Sequence, residues 1–157
     1  MYPQTHFLFS FFLGEIFVKL GIITHKSAVI AGLLGGFIDV DHLIEFVRHH
    51  KDWNLKHVWN AAVVEHEICE RTFIHHKLGF VLTTIFIVLL ILINRITEVL
   101  VISFAYYSHL FLDYIPIDVR GMKKFTIRKE GFIIKLPLFE VIIDIVLLLG
   151  CFVLIFS

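Results

Sequence analysis

Residues 78–94 read LGFVLTTIFIVLLILIN, a run without a single charged side chain. As a helix it would cover about 25 Å at about 1.5 Å per residue, close to the roughly 30 Å of bilayer hydrocarbon. As a strand it would need a closed barrel to satisfy its backbone in lipid, and the chain has too few such runs to close one. Working outward, four further apolar segments follow the same logic: residues 7–23, the short SAVIAGLLGGFID at 27–39, VLVISFAYYSHLFLDYI at 99–115, and LFEVIIDIVLLLGCFVLIF at 138–156. The expected fold is all-α, a polytopic membrane helical bundle with about five transmembrane helices. Composition agrees: 58% of the 157 residues are hydrophobic, 18% are charged, and mean hydropathy is +0.86, outside the range of ordinary soluble domains. No Pro-, Gly- or Ser-rich linker and no repeat divides the chain, so residues 1–157 read as one integral-membrane domain.

Charge bounds the partners. The 14 basic and 14 acidic residues cancel, so no global field recruits nucleic acid, and the lipid bilayer is the expected partner. Cys69 and Cys151 are too far apart for a CxxC site, which leaves nitrogen and oxygen ligands for any metal. The opening MYPQTHFLFSFFLGEIF has neither a basic leader nor a small-residue cleavage site and is expected to stay as the first helix. Basic residues gather in two links, Arg48, Lys51, Lys56, Arg71 and Lys77 in 45–77, and Arg120, Lys123, Lys124, Arg128, Lys129 and Lys135 in 116–137. Two spans separate these links, so both lie on one side, which the positive-inside rule makes the cytoplasm. The N-terminus is then cytoplasmic, and the location is the cell membrane, crossed several times.

The remaining polar residues fall at that same face. His6 opens the first span, Asp39, Asp41 and His42 (DVDH) close the second, His75 and His76 precede the third, His109 and Asp113 close the fourth, and Glu140 opens the fifth. His109 and Asp113 are one helical turn apart on one face. For DVDH the geometry is open: a helix puts Asp39 and His42 together, whereas an extended chain puts Asp39 and Asp41 together. Carboxylates within a spanning helix are costly and are functional hypotheses by default, and a divalent ion would satisfy their charge and the imidazole lone pairs. An all-nitrogen-and-oxygen set suits zinc, manganese or iron, and more than three such ligands can hold two ions. A bound ion activates water and polarises a phosphoryl or carbonyl group, so hydrolysis is the reaction that follows.

The segments THFLFSFF, FIDVDH, RTFIHH and YYSHLFLDYI, in this order, resemble the membrane-bound metal-dependent hydrolases of the YdjM type, the LexA-regulated inner-membrane proteins of prokaryotes. The resemblance covers nearly the whole chain and implies a metal-dependent hydrolase. It carries over onto His6, Asp39, Asp41, His42, Arg71, His75, His109, Asp113 and Glu140. The metal would be held by His6, Asp39, Asp41, His42, His75, His109 and Asp113, with Glu140 or Glu70 as general base and Arg71 holding a phosphate bidentately. Three positions depart from the family pattern: Ile38 replaces a proline, Glu70 stands where a histidine precedes the arginine, and IHH replaces THS.

Plainer readings accompany each feature. His109 and Asp113 would form an intrahelical hydrogen bond, and DVDH a solvated turn. Glu15 and Lys19, four apart, read as a mutual ion pair. Asp144 reads as hydrogen-bonded within the bundle, and His25, His49, His50, His57 and His66 as solvated. Three functions follow. The first is a hydrolase with a phosphoester or lipid-linked substrate at the cytoplasmic face. The second is an ion-binding or transport protein, and the third a structural membrane protein whose polar cluster staples helices.

Overall fold

The computed structural model describes residues 2–51, 53–60, 73–114, 124–129 and 131–157. They form seven α-helices, a 3-10 turn at Phe73–His75 and one hairpin. The helices are α1 (Pro3–Lys19), α2 (His25–Phe37), α3 (Val40–His50), α4 (Leu55–Asn60), α5 (Lys77–Leu92), α6 (Ile96–Tyr114) and α7 (Leu138–Phe156). Local chemistry sets several boundaries. Pro3 starts α1 where a missing N–H costs nothing, and Gly21 takes φ 72° just past its end. The Thr24 hydroxyl caps α2 by accepting from the Ser27 N–H. Asn94, at φ 59°, turns the chain out of α5.

Helix α1 is the hub, packed against α2, α6 and α7. It approaches α2 through residues without bulk: a Cβ on Gly14 would lie 2.8 Å from the Ala28 Cβ, so the helices touch along their backbones. Elsewhere large apolar side chains face outward, among them Leu89, Val146, Leu149 and Val153, each half exposed or more, as lipid-facing helices require. Among the described residues two helical stretches are long and apolar enough to cross a membrane. One is Leu138–Phe156, and the other is His25–His50, where α2 runs into α3 with only Ile38 and Asp39 between. Helix α5 is as apolar as expected but only 16 residues long.

The all-α expectation needs correction. Strands β1 (Lys124–Lys129) and β2 (Phe132–Pro137) form an antiparallel hairpin within the basic link, in register from Lys124 opposite Pro137 to Lys129 opposite Phe132. The stretch is rich in Ile, Phe and Thr, and Gly131 takes the positive φ of 88° at the turn. Its backbone groups are satisfied by other elements. Trp59 Nε1 donates to the Ile133 carbonyl at 2.9 Å, Asn60 brackets the turn by donating to the Gly131 carbonyl and accepting from Ile133 N–H, and the Tyr2 hydroxyl donates to the Lys135 carbonyl at 2.6 Å. Pro137 then leads directly into α7.

Glu15 is also not paired with Lys19. Its buried carboxylate meets His25 Nδ1 at 2.8 Å, because the turn around Gly21 folds the start of α2 back onto the end of α1. Lys19 is exposed.

Candidate metal centre

Four segments meet at one end of the bundle. Helix α1 contributes His6, the α2–α3 junction contributes Asp39, Asp41 and His42, the 3-10 turn contributes His75, and α6 contributes His109 and Asp113. The structure thus brings together all seven side chains that the sequence offered as ligands. DVDH resolves as helical backbone: Asp39 occupies the N-cap position of α3 without a side-chain cap, Asp39 and His42 face His75 together, and Asp41 reaches His75 Nδ1 at 3.5 Å.

Two overlapping groups could each hold a cation. His6, Asp39, His109 and Asp113 form the first, and Asp39, His42 and His75 the second, with ligand atoms in each within 4.8 Å of one another. Asp39 belongs to both. The spacing can be tested against a metal. Two ligands each about 2.05 Å from a tetrahedral ion stand about 3.3 Å apart. Here His109 Nε2 lies 3.0 Å from Asp113 Oδ2 and 3.3 Å from Asp39 Oδ1, and His6 Nε2 lies 3.2 Å from Asp113 Oδ1. His75 Nε2 lies 3.0 Å from His109 Nε2 and 3.4 Å from Asp113 Oδ2. The set brackets the expected separation.

Hydrogen bonding agrees. His109 Nδ1 is 3.0 Å from the Gly35 carbonyl, which can only accept, so Nδ1 carries the proton and Nε2 of the neutral ring keeps a lone pair aimed into the cluster. Neither ring nitrogen of His6 makes a well-aligned hydrogen bond, and the same holds for Nδ1 of His42, although all three atoms are buried. Buried nitrogens without hydrogen bonds are what removing a metal from its ligands would leave. His6 stacks on His109 with ring centroids 3.9 Å apart. Burial disfavours a proton on His75, yet the bonded carboxylates of Asp113 and Asp41 outweigh it and hold its pKa up at about 9.

The surrounding residues fix this arrangement. Ser10 and Ser108 share a hydrogen bond of 2.7 Å between α1 and α6, one turn from His6 and next to His109. The hydroxyls of Tyr106 and Tyr114 donate to the carbonyls of Ile74 and His75, at 2.8 and 3.3 Å, and so tie the 3-10 turn to α6 despite the missing threonine hydroxyl at position 74. Sequence reasoning passed over Ser10, Gly35, Tyr106 and Tyr114, whose only signal was that small or hydroxylated residues interrupt apolar runs.

The three proposed catalytic groups stand differently. Glu70 and Arg71 lie outside the described residues, as does His66. Glu140 is buried beside the cluster but bonded elsewhere: it accepts from the Tyr2 N–H and from the Thr5 hydroxyl at 2.9 Å. Thr5 directly precedes His6 and also meets Asp144 Oδ1 at 2.7 Å. Asp144 therefore has the hydrogen bond within the bundle that the sequence reading gave it, with Thr5 as its partner.

No curated protein and no solved structure is significantly similar to this chain. The YdjM inner membrane protein family matches residues 1–126, a stretch that contains all seven clustered side chains but not Glu140, and the chain belongs to that family.

Proposed function

We propose that this inner-membrane protein is a metal-dependent hydrolase acting at the cytoplasmic membrane face on a phosphoester or lipid-linked substrate. The observation that carries the reading is the ligand spacing: nitrogen and oxygen atoms from four segments stand about one tetrahedral edge apart around two overlapping positions. His6, Asp39, Asp41, His42, His75, His109 and Asp113 would hold one or two divalent ions, zinc first and manganese or iron next, with Asp39 shared between them. A bound ion would supply Lewis acidity and an activated water. The chain's own residues orient that chemistry: Gly35 fixes the His109 tautomer, and Asp41 fixes His75. Arg71 would hold the phosphate, and Glu70 or Glu140 would take the proton from water.

The accompanying topology has about five spans with the N-terminus inside. It rests on the basic links and on the position of every clustered residue at the end where those links attach. A competing ion-transport reading draws on one observation, a series of polar groups along α1 from His6 through Ser10 to the Glu15–His25 pair at its other end. Elemental analysis of the purified protein tests the hydrolase reading, together with hydrolysis of phosphomonoester and phosphodiester probes. Wild-type protein should carry a divalent metal and turn over one probe class, and His109→Ala should lose both while still inserting. Metal flux into liposomes without hydrolysis would favour transport.

A further inference from the structure

Beside the metal-ligand cluster, a cleft of about 550 Å³ lies between α5 and α6, within the about 300–1,000 Å³ typical of small-molecule sites. Among the described residues its walls are Phe80 and Val81 from α5 and Tyr107, Leu110 and Phe111 from α6. Phe80, Val81 and Phe111 are each about half exposed on the apolar flank of the bundle. Its lining is mostly apolar, with the rings of Tyr107 and Tyr114 included, whereas one end carries the consecutive residues His75, His76 and Lys77. His75 is at once a wall of the cleft and a member of the cluster. The tyrosine bonds to the Ile74 and His75 carbonyls hold that end in place.

We propose that this cleft is the acyl-chain subsite of the same centre, admitting a phospholipid with a phosphomonoester head sideways from the cytoplasmic leaflet. The chain lies between α5 and α6, and the head reaches the cluster past His75. Charge selects the head. Asp39, Asp41 and Asp113 against two dications leave the loaded cluster net positive, and Lys77 adds a further cation at the cleft's mouth. A phosphomonoester, with about two negative charges at neutral pH, complements this, whereas a zwitterionic choline head does not. Position selects the chain. The cleft opens on the flank that the membrane reading places in hydrocarbon, so an alkyl chain enters without leaving the bilayer. This inference rests on the proposed function for the two ions that make the cluster positive as well as for turnover.

The test uses the full chain in phosphatidylcholine vesicles containing phosphatidic acid with a photoreactive diazirine on one acyl chain. A second probe carries the same chain on a choline head. Phosphatidic acid should label peptides from 77–92 and 106–114 saturably, and about tenfold more than the choline probe, the worth of one charge-assisted bond. Lys77→Gln should remove most of that preference. Val81→Trp and, as a second filling variant, Leu110→Trp should cut labelling severalfold in protein that melts like wild type. Equal labelling by the two heads, or labelling that both tryptophan variants leave intact, overturns the subsite. Selective labelling without phosphatidic acid hydrolysis leaves the subsite standing and counts against the hydrolase. Hydrolysis with indiscriminate labelling does the reverse.

Discussion

Gly35→Ala puts the link between helix packing and metal binding at risk in a single methyl group. A Cβ at position 35 would collide with the Ser10 Oγ and lie 3.0 Å from the Ser10 Cβ and 3.2 Å from the His6 carbonyl oxygen. Even with the Ser10 hydroxyl turned aside from Ser108, carbon contacts are at their best near 3.5–4.0 Å, so α1 and α2 must part by at least roughly 0.5 Å. Overpacking of this kind costs about 1–3 kcal/mol of stability. The greater effect is on the centre, because α1 carries His6, the end of α2 leads into Asp39, and Gly35 itself orients His109. Metal ligands tolerate displacements of about 0.2 Å, and disturbing a residue that orients a ligand lowers affinity by about 10–100-fold. Competition with a fluorescent zinc chelator should show a loss of that size in folded Gly35→Ala. Adding Ser10→Gly removes the larger part of the collision and should restore part of the affinity, a coupling that two independent sites would not show. Wild-type zinc affinity in Gly35→Ala, or a strictly additive double variant, would refute the claim that α1–α2 contact sets the ligand geometry.

Three other perturbations follow from individual contacts. The Thr5 hydroxyl faces both Glu140 and Asp144 and has one proton to donate between them, so Thr5→Val removes a donor that the two carboxyl groups share and should cost about 1–3 kcal/mol in chemical unfolding; an unchanged midpoint would show that neither contact matters. Glu15→Ala leaves His25 without its partner and should destabilise by a similar roughly 1–3 kcal/mol, while Lys19→Ala changes little, and the opposite ranking in thermal melts would restore the i, i+4 pair. His75, raised to about 9 without metal, is protonated near neutral pH and must lose that proton to bind an ion; zinc binding should therefore release more protons near pH 7 than near pH 10, and calorimetry in buffers of differing ionisation enthalpy that gave equal release would count against it.

The ligands were legible because lipid makes polar residues conspicuous. An imidazole or carboxylate in an apolar run carries a cost that sequence alone displays, and its position along the run gives its depth. His6, His109 and Asp113 could be placed at one face on that basis before any packing was known. What stayed hidden depends on contacts between segments. The i, i+4 rule assigned Glu15 to Lys19, but the Gly21 turn brings His25 against it from ten residues away. The choice of backbone at DVDH was decided by the continuation of α2 into α3. The hairpin escaped because its lysines and arginines marked residues 116–137 as a polar link, while the alternation of Phe125 and Ile127 around them carried the strand signal. Gly35 reads as a small residue in a helix, and only the neighbouring α1 makes its missing Cβ necessary.

The facing imidazoles bear on how the proposed centre balances its charge. Two unit charges about 4 Å apart at an effective dielectric of about 20 interact by about 4 kcal/mol, so Asp39, Asp41 and Asp113 in one compartment require cationic compensation. Protons on the histidines can provide some of it. With Nδ1 of His109 committed to Gly35, however, a second proton on that ring would sit on Nε2, which faces Nε2 of His75 at 3.0 Å. That gap holds one shared proton, and a second would have to turn toward the carboxylates of Asp113 or Asp39. Divalent ions could meet the same demand for positive charge, since each lone pair and each carboxylate oxygen could become a ligand, and adding zinc to metal-free protein should raise its melting temperature.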